Sequence, residues 1–254
     1  WLRSVQNGDG GWGAKAGEEY RESDRTSYYA NYELDTDRTD TGYRGRSSTM
    51  ALGSKSRYSD SLSVFGEQRR QSVDNGQSGL THAFGLDYAA NDHWTWGGRF
   101  EHGTIADALS GDFTRSALSI NPSYHNDKVK YGGTVEWRDE DGRSLGHRVS
   151  WLFKNNLGYQ TTADWRFQGG LDIAQSNSDL TSGINANFTE GKVGFAYRPV
   201  DNDRLNALFK YTYLDDQSSA GQLTPTRNSS GNGYQQRSHV FNIDAIYDLT
   251  PKLG

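Results

Sequence analysis

Hydrophobic and polar residues alternate along the chain in segments of about ten residues. Phe84, Leu86 and Tyr88, for example, are separated by single residues at the end of one such segment. A period of two is typical of a β-strand with one apolar face and one polar face. A tyrosine recurs at the end of such segments, just before a short turn that usually contains Asp. The copies are Tyr20, Tyr58, Tyr88, Tyr124, Tyr159, Tyr197 and Tyr247.

Successive tyrosines of this set lie about 30 to 50 residues apart, which leaves room for two strands of about ten residues and one loop. The alternation predicts about thirteen strands, with a fourteenth that begins at Lys252. The segments at the opposite ends of the hairpins are polar and mostly longer than the turns. They are residues 35–46, 71–79, 103–112, 139–144, 174–190 and 215–236.

Short turns at one end and longer loops at the other are typical of outer-membrane β-barrels, whose turns face the periplasm. The sequence therefore predicts an all-β fold, an antiparallel up-and-down transmembrane β-barrel of about 13–14 strands, in the bacterial outer membrane. The tyrosine set then forms an aromatic belt at the periplasmic interface, where amphipathic rings are favoured. Bacterial barrels normally have an even strand count. We therefore expect residues 1–254 to be a single barrel region that is incomplete at its C-terminus. One closing strand would complete a small barrel, and several further hairpins would make the chain part of a larger barrel.

Composition changes this picture only slightly. The mean hydropathy is −0.88 and 33% of the residues are hydrophobic, as in many soluble proteins. A strand with one polar face averages out as hydrophilic, however, so β-barrels share these values. A soluble β-sandwich is the alternative, but it would rarely expose Trp94, Trp96 and Trp137 at strand ends. The absence of Cys excludes disulfides and thiolate metal sites, and the net charge of −5 argues against nucleic-acid binding.

Charged residues occupy the positions opposite the apolar ones, so we expect them to face the lumen of the barrel. This set contains more basic than acidic groups, and an open lumen of that kind would mildly favour anions. The alternative is a ladder of cross-strand ion pairs that stiffens the wall, and both can hold together. The set is Lys55, Arg57, Glu67, Arg69, Arg99, Glu101, Lys130, Glu136, Arg138, Arg148, Arg166, Asp172, Lys192, Lys210 and Asp244.

Three short motifs were weighed for chemistry. Asp35, Asp37 and Asp40 have a spacing that could hold Ca²⁺ through oxygen ligands, but a solvated acidic loop tip is the simpler interpretation. Residues 139–142, Asp-Glu-Asp-Gly, are interpreted first as a tight hairpin turn, with ion binding as the alternative. The Gly-rich residues 8–13 lack the Lys-Ser/Thr of a phosphate loop and are interpreted as a flexible entry or turn.

Three histidines and one asparagine lie at positions that allow two interpretations. His82, His102 and His147 fall near the loop ends of strands, where a His beside Ser or Asp could act in hydrolysis. Ser and His are scattered widely, so structural or interfacial histidines are the preferred interpretation. Asn155 would face lipid if one strand runs unbroken to Tyr159. A turn at 154–156 would remove that conflict, but a turn near Thr162 matches the repeat and is preferred.

Two stretches carry a resemblance to a known family. Residues 193–216, which begin Val-Gly-Phe-Ala-Tyr-Arg-Pro-Val-Asp, and residues 236–251 resemble the barrel regions of large Gram-negative surface proteins. In these proteins repeat-bearing regions precede a poorly characterised outer-membrane barrel. The resemblance covers mainly residues 125–254. It implies an outer-membrane location and a translocator, anchor or pore role, and it implies no catalytic residue.

The function expected from the sequence is therefore a non-enzymatic outer-membrane barrel that acts as a pore, a translocation conduit or a membrane anchor. The alternative is a barrel that sheathes a partner chain or is plugged by one, and a barrel hydrolase ranks below both. The expected partners are the lipid bilayer and lipopolysaccharide, together with such a plug. No cofactor is expected, and the candidate metal site is the Asp35, Asp37, Asp40 set.

Overall fold

The structure is a computed structural model, and it describes residues 2–6, 12–38, 45–74, 76–106, 111–143, 146–179, 186–200, 204–218 and 234–247. No helix within these ranges is long and apolar enough to cross a membrane. The regular elements within the described ranges are fourteen β-strands. They are β1 (Leu2–Gln6), β2 (Trp12–Arg21), β3 (Thr26–Arg38), β4 (Gly45–Arg57), β5 (Leu62–Val73), β6 (Ser78–Ala89), β7 (Trp94–Ala106), β8 (Phe113–His125), β9 (Val129–Gly142), β10 (Gly146–Gln160), β11 (Trp165–Ser178), β12 (Ala186–Tyr197), β13 (Leu205–Ser218) and β14 (Tyr234–Tyr247).

The strands follow chain order in one sheet, each hydrogen-bonded to the next, from β1 at one end of the order to β14 at the other. This is the up-and-down connectivity that the alternation of turns and loops predicts. Contacts between Cα atoms divide the chain into two compact units. Unit 1 comprises Trp1–Ala89, Gly97–Ser119 and Arg138–Arg148, and unit 2 comprises Ala90–Trp96, Ile120–Trp137 and Val149–Gly254.

The antiparallel register in unit 1 separates apolar from charged side chains. Val64 pairs with Leu86, and Leu62 pairs with Tyr88. The alternate positions of the same strands place Glu67 opposite Gly53 and Ala83. Because side chains one residue apart point to opposite faces of a sheet, each strand has an aromatic face and a charged face. We call them by these names below.

The same separation holds in unit 2. Phe167 pairs with Phe195, which pairs with Phe209, which pairs with Ile243, so one apolar row crosses four strands. The ring centroids of Phe167 and Phe195 are 5.3 Å apart, a distance typical of favourable aromatic pairs. The other face carries polar pairs, such as Lys210 with Asn242, together with a few apolar residues such as Leu208. Cross-strand pairs of this kind stabilise the sheet and fix its register.

Burial is inverted relative to a water-soluble protein. Large apolar side chains on the aromatic face are exposed, with Phe84 at 61% and Phe241 at 75%. The buried side chains of the described ranges include Ala51 and Ala83, which lie on the charged face beneath longer polar groups. An extended exposed apolar surface is unfavourable in water. The aromatic face is therefore suited to contact with lipid hydrocarbon.

The predicted short turns are found where the tyrosines place them, at residues 22–25, 58–61, 90–93, 126–128 and 161–164. Part of the turn that follows Tyr197 lies outside the described ranges. All five turns share a cap that the alternation of residues does not reveal. In each, a side-chain oxygen accepts backbone N–H groups two and three residues later, as the Asn126 Oδ1 does from Lys128 and Val129 at 2.9 and 2.6 Å. The capping residues are Ser23, Ser59, Asn91, Asn126 and Thr162. Such side-chain turns favour a tight reversal, so these residues, rather than the Asp, hold the turns.

The strands extend further into the predicted loops than expected. β5 continues to Val73 and β6 begins at Ser78, so most of the predicted loop 71–79 is hairpin. Gly76 adopts a φ of 86° in the remaining turn, a conformation that glycine reaches without strain. Polar residues do not end these strands because cross-strand ion pairs and backbone bonds continue the ladder, as between Asp215 and Arg237.

One further expectation is wrong. Residues 139–142 are not a turn: they lie in β9, and the side chain of Glu140 is only 1% exposed because two arginines hold it. β1, at the beginning of the chain, is a strand that the alternation did not predict. Lys252 lies outside the described residues, so the strand expected to begin there stays a prediction. Of the Gly-rich motif, Trp12 and Gly13 belong to β2, and residues 8–11 fall outside the described ranges.

Candidate functional site

The charged residues singled out in the sequence lie opposite the aromatic face of their own strands. In unit 1 the register aligns Glu67 with Gly53 and Arg69 with Ala51, and Lys55 and Arg57 alternate with them. In unit 2 the positions of Asp172, Lys192, Lys210 and Asp244 alternate with the apolar row. Strand alternation gives the same face to Arg99, Glu101, Lys130, Glu136, Arg138, Arg148 and Arg166. That this charged face lines a lumen remains a prediction.

Ion pairs on the charged face run both along strands and between them. Arg69 Nη2 lies 2.6 Å from Glu67 Oε1 on the same strand, and Arg99 forms the equivalent pair with Glu101. Lys192 Nζ lies 2.6 Å from Glu190 and 3.8 Å from Asp172 on the neighbouring strand. Partly exposed pairs of this kind contribute little to stability individually. Their effect is to neutralise part of the charge on this face.

In unit 1 the side chain of a tyrosine extends across the neighbouring strand, above a glycine. Tyr29, Gly53 and Glu67 lie in one row across β3, β4 and β5. The Tyr29 hydroxyl donates a hydrogen bond of 2.7 Å to Glu67 Oε2. A Cβ atom at Gly53 would lie 2.4 Å from the Tyr29 ring, so only glycine leaves space for this ring. Tyr29 is not among the site residues predicted from the sequence. The feature that could have revealed it is an aromatic residue at a strand position whose neighbours on the same face are polar.

Glu140 is the most buried charged side chain of the described ranges, and two guanidinium groups hold it. Its Oε1 accepts from Arg115 Nε at 2.6 Å, and its Oε2 accepts from Arg148 Nε at 2.6 Å. On β9 the apolar positions of the aromatic face end at Trp137, and Asp139 and Asp141 follow on that face. This end of β9 therefore lies beyond the apolar band, outside the membrane-spanning segment.

The electrostatics of this cluster favour the carboxylate. Burial on its own would raise the pKa of Glu140, but the charges and hydrogen bonds of Arg115 and Arg148 outweigh burial and hold the pKa below its ordinary value. The three side chains carry a net charge of +1, and Arg115 and Arg148 remain about one-third and one-quarter exposed. Arg115 was missed in the sequence because its segment resembles a loop border. Its role depends on partners that are distant in sequence.

The histidines form separate polar pairs on the aromatic face. His102 Nδ1 lies 2.9 Å from Ser116 Oγ, and His147 Nε2 lies 3.0 Å from Asp139 Oδ2. His82 is exposed and lies opposite Gln68. The Ser and the Asp thus contact different histidines. In the described ranges no group of three His, Cys, Asp or Glu residues could hold a metal ion.

The residues of the calcium hypothesis lie largely outside the described part of the chain. Asp35 lies in β3 and is half-buried, the side chain of Asp37 is not described, and Asp40 lies outside the described residues. The hypothesis for the Asp35, Asp37, Asp40 set therefore stays a prediction.

Asn155 does lie on the aromatic face, because β10 runs unbroken to Gln160 and the turn falls near Thr162 as preferred. Its Oδ1 accepts a hydrogen bond of 2.5 Å from the Tyr131 hydroxyl. Gly133 leaves room for that contact, since a Cβ there would lie 2.7 Å from the Tyr131 oxygen. Pairing a polar amide with a hydroxyl lowers the cost of placing it at an apolar surface.

The tyrosine set marks one end of the strands. Tyr20, Tyr88, Tyr124, Tyr159, Tyr197 and Tyr247 lie in the last two residues of β2, β6, β8, β10, β12 and β14, and Tyr58 follows β4 directly. In unit 2, Trp165 lies at the same end as Tyr197 and contacts it, with ring centroids 4.7 Å apart. The position of the rings agrees with an interfacial belt, which stays a prediction.

Comparison with known proteins identifies the fold. No family model matches the chain, and no curated protein matches it. Solved structures do. The FrpB iron transporter from Neisseria meningitidis has a TM-score of 0.67 at 13% identity, over 94% of this chain and 48% of that one. OmpT, an outer membrane protein of Vibrio cholerae, has a TM-score of 0.51 at 12% identity, over 94% of this chain and 90% of that one. A bacterial polysaccharide outer membrane secretin has a TM-score of 0.50 at 12% identity, over 93% of this chain and 80% of that one.

These likenesses confirm the predicted fold class: the chain is all-β, with antiparallel up-and-down strands of the kind found in outer-membrane β-barrels. They also agree with the predicted location in the bacterial outer membrane. The chain spans about half the length of the iron transporter. Identities of 12–13% show the fold and leave the function to the chemistry of the two faces.

Proposed function

We propose that this chain forms the wall of a non-enzymatic outer-membrane conduit, a pore or translocation channel. The charged face carries the proposal. Each Arg or Lys placed against lipid at the bilayer midplane costs about 2–4 kcal/mol. This face bears many such groups, and the aromatic face of the same strands bears exposed Phe84 and Phe241. Charged side chains on the face away from lipid need water, and in a barrel that water fills the lumen.

The names of two structural neighbours support a conduit, since they denote an iron transporter and a polysaccharide secretin. They identify no solute for this chain. The resemblance of residues 193–216 and 236–251 to barrels of large repeat-bearing surface proteins adds a second element to the proposal. In that arrangement the barrel would also anchor or export regions attached to it.

Single-channel recording in a planar bilayer tests the conduit. We expect purified full-length protein to give discrete conductance steps, and the same preparation unfolded by heat to give none. Circular dichroism of the added protein verifies its β-structure, so a silent sample cannot be attributed to misfolding. A folded, membrane-inserted protein that never conducts would contradict the proposal.

One observation favours a plugged or sheathing barrel as a second candidate. Leu208, Val240 and Ile246 lie on the charged face of unit 2 and are 41%, 47% and 59% exposed. Apolar side chains on a water-facing wall are suited to contact another polypeptide. This candidate predicts a stoichiometric partner that co-purifies and is lost in the Val240→Asn, Ile246→Asn double variant. Val193→Asn, on the aromatic face, is the control; retention of the partner in the double variant would contradict the candidate.

For the aromatic face we propose the lipid bilayer and lipopolysaccharide as partners. A groove of about 480 Å³ in unit 1 combines apolar Met50, Leu52 and Leu80 with the guanidinium of Arg70. Acyl chains and a phosphate would meet complementary groups there. We expect Arg70→Gln to lower the lipopolysaccharide that co-purifies, while Lys55→Gln on the charged face leaves it unchanged. Equal amounts in both variants would count against this groove.

A further inference from the structure

A second cavity opens in unit 2 between β9, β10 and β11, with a volume of about 420 Å³. The side chains that belong to the charged face and line it are Lys130, Asn156, Arg166 and Gln168, with Gly132 and Gly158 between them. We call it the basic cavity. Its volume falls within the roughly 300–1,000 Å³ of small-molecule sites.

The two cations of the basic cavity are uncompensated. Within the described part of the chain neither Lys130 nor Arg166 forms an ion pair, and no carboxylate lines the cavity. Arg69, Arg115 and Arg148 differ, since each of them contacts a glutamate. Both side chains are exposed, so their positive charge is available to a solute.

Glycines shape the cavity. A Cβ at Gly132 would meet no atom within 4 Å, so this position is open space in front of the sheet. A Cβ at Gly158 would lie 3.3 Å from Arg166 Nη2, which shows that the guanidinium lies flat against the strand there. Larger residues at these positions would fill the cavity or push Arg166 away. Asn156 and Gln168 add amide groups that both donate and accept hydrogen bonds.

We infer that the basic cavity binds a small solute that carries a carboxylate or a phosphate. The planar guanidinium of Arg166 matches the two oxygens of either group, and Lys130 adds a point charge beside it. Asn156 and Gln168 are placed to bind hydroxyl groups, so a sugar acid or a sugar phosphate fits the donor set. The inference deepens the proposed conduit and rests on it only in requiring that water reaches the charged face.

Titration calorimetry on the folded full-length protein tests the site with three probes: inorganic phosphate, glucuronate and neutral glucose. We expect one or both anions to bind and glucose to bind at least tenfold more weakly. Arg166→Gln and Lys130→Gln should each weaken the anion at least tenfold. Lys210→Gln is the matched control, because Lys210 is an exposed lysine on the charged face of unit 2, has no ion pair in the described part, and lies outside the cavity.

Equal weakening by Lys210→Gln would show a general effect of charge and overturn the assignment, as would the absence of anion binding. The relative affinity for phosphate and glucuronate decides which anionic group the cavity prefers.

A second pair of variants tests the shape without changing any charge. Gly132→Val should weaken the anion at least tenfold by filling the cavity. Gly191→Val, at an equally open position on the aromatic face, should not. Unchanged binding in Gly132→Val would overturn the inference. If the protein binds the anion but never conducts, the anion site is supported and the conduit is contradicted. If the protein conducts but does not bind the anion, the conduit is supported and the anion site is contradicted.

Discussion

At the scale of single residues, Glu140 shows how a charge can be buried at low cost. Its carboxylate is enclosed, yet both oxygens accept from guanidinium groups, on β8 and on β10. A buried charge is tolerated when its lone pairs are satisfied by opposite charges. The cluster thereby ties three strands together at the end beyond the apolar band.

Removing the carboxylate charge should destabilise the protein. We expect Glu140→Gln to lower the free energy of unfolding by about 1.5–3 kcal/mol, the usual loss for hydrogen bonds to charged groups. Asp141→Asn is the control, because Asp141 is exposed on the same strand. Guanidinium unfolding followed by tryptophan fluorescence measures both. A loss of equal size in Asp141→Asn would contradict the role given to the cluster.

The same glutamate should make stability depend on pH. The pKa of Glu140 in the folded protein lies below its ordinary value of 4.5, so its contribution is fully present above that value. The contribution is lost as the pH falls through the folded pKa. We expect the difference between the unfolding midpoints of the parent protein and Glu140→Gln to be constant between about pH 7 and pH 5.5 and to shrink below about pH 4.5. A difference that persists undiminished at about pH 3 would exclude this linkage.

The residue scale is also where the sequence was least informative. Asp-Glu-Asp-Gly has the composition of a turn, and nothing within it indicates that Glu140 is enclosed by Arg115 and Arg148. Similarly, the basic cavity depends on Gly132 and Gly158, which lie on different strands and both line it. The face of each charged residue followed from alternation, but its partner depended on register.

At the scale of elements, the alternation of residues predicted the strands and the turns well. It failed at the loop ends, where β5, β6 and β9 extend beyond the apolar residues of the aromatic face. Apolar patterning reports only the part of a strand that meets lipid. Hydrogen bonding continues as long as two chains stay paired, so polar ends such as those of β13 and β14 remain strand.

The contact between β6 and β7 gives a prediction at this scale. A Cβ at Gly103 would lie 2.3 Å from the Leu80 carbonyl oxygen and 2.7 Å from the Thr81 Cα, both backbone atoms. We expect Gly103→Ala to force these strands apart and to cost about 1–3 kcal/mol of unfolding free energy, as overpacking does. Gly191→Ala, where a Cβ meets no atom within 4 Å, should be neutral. The same guanidinium unfolding compares the two, and equal stabilities would contradict the close approach.

At the scale of the whole molecule, the fold class could be predicted because it needs only a two-residue period and a regular spacing of turns. The inverted burial, with Phe84 exposed and Ala83 buried on successive positions of one strand, is the structural form of that period. The function could be predicted less well from the sequence. It depends on which charges remain uncompensated, and that is decided by pairing between strands.

The orientation in the membrane is the remaining consequence of the turn pattern, and the absence of Cys from this chain makes it directly measurable. Asp60 lies in the short turn between β4 and β5, and Asp112 lies just before β8 in a predicted external loop; both are exposed. Because short turns of these barrels face the periplasm, a membrane-impermeant maleimide should label Asp112→Cys on intact cells. It should label Asp60→Cys only after the outer membrane is permeabilised, with the parent protein as background. Labelling of Asp60→Cys alone on intact cells would reverse the orientation, and the aromatic belt would then mark the outer surface instead of the periplasmic one.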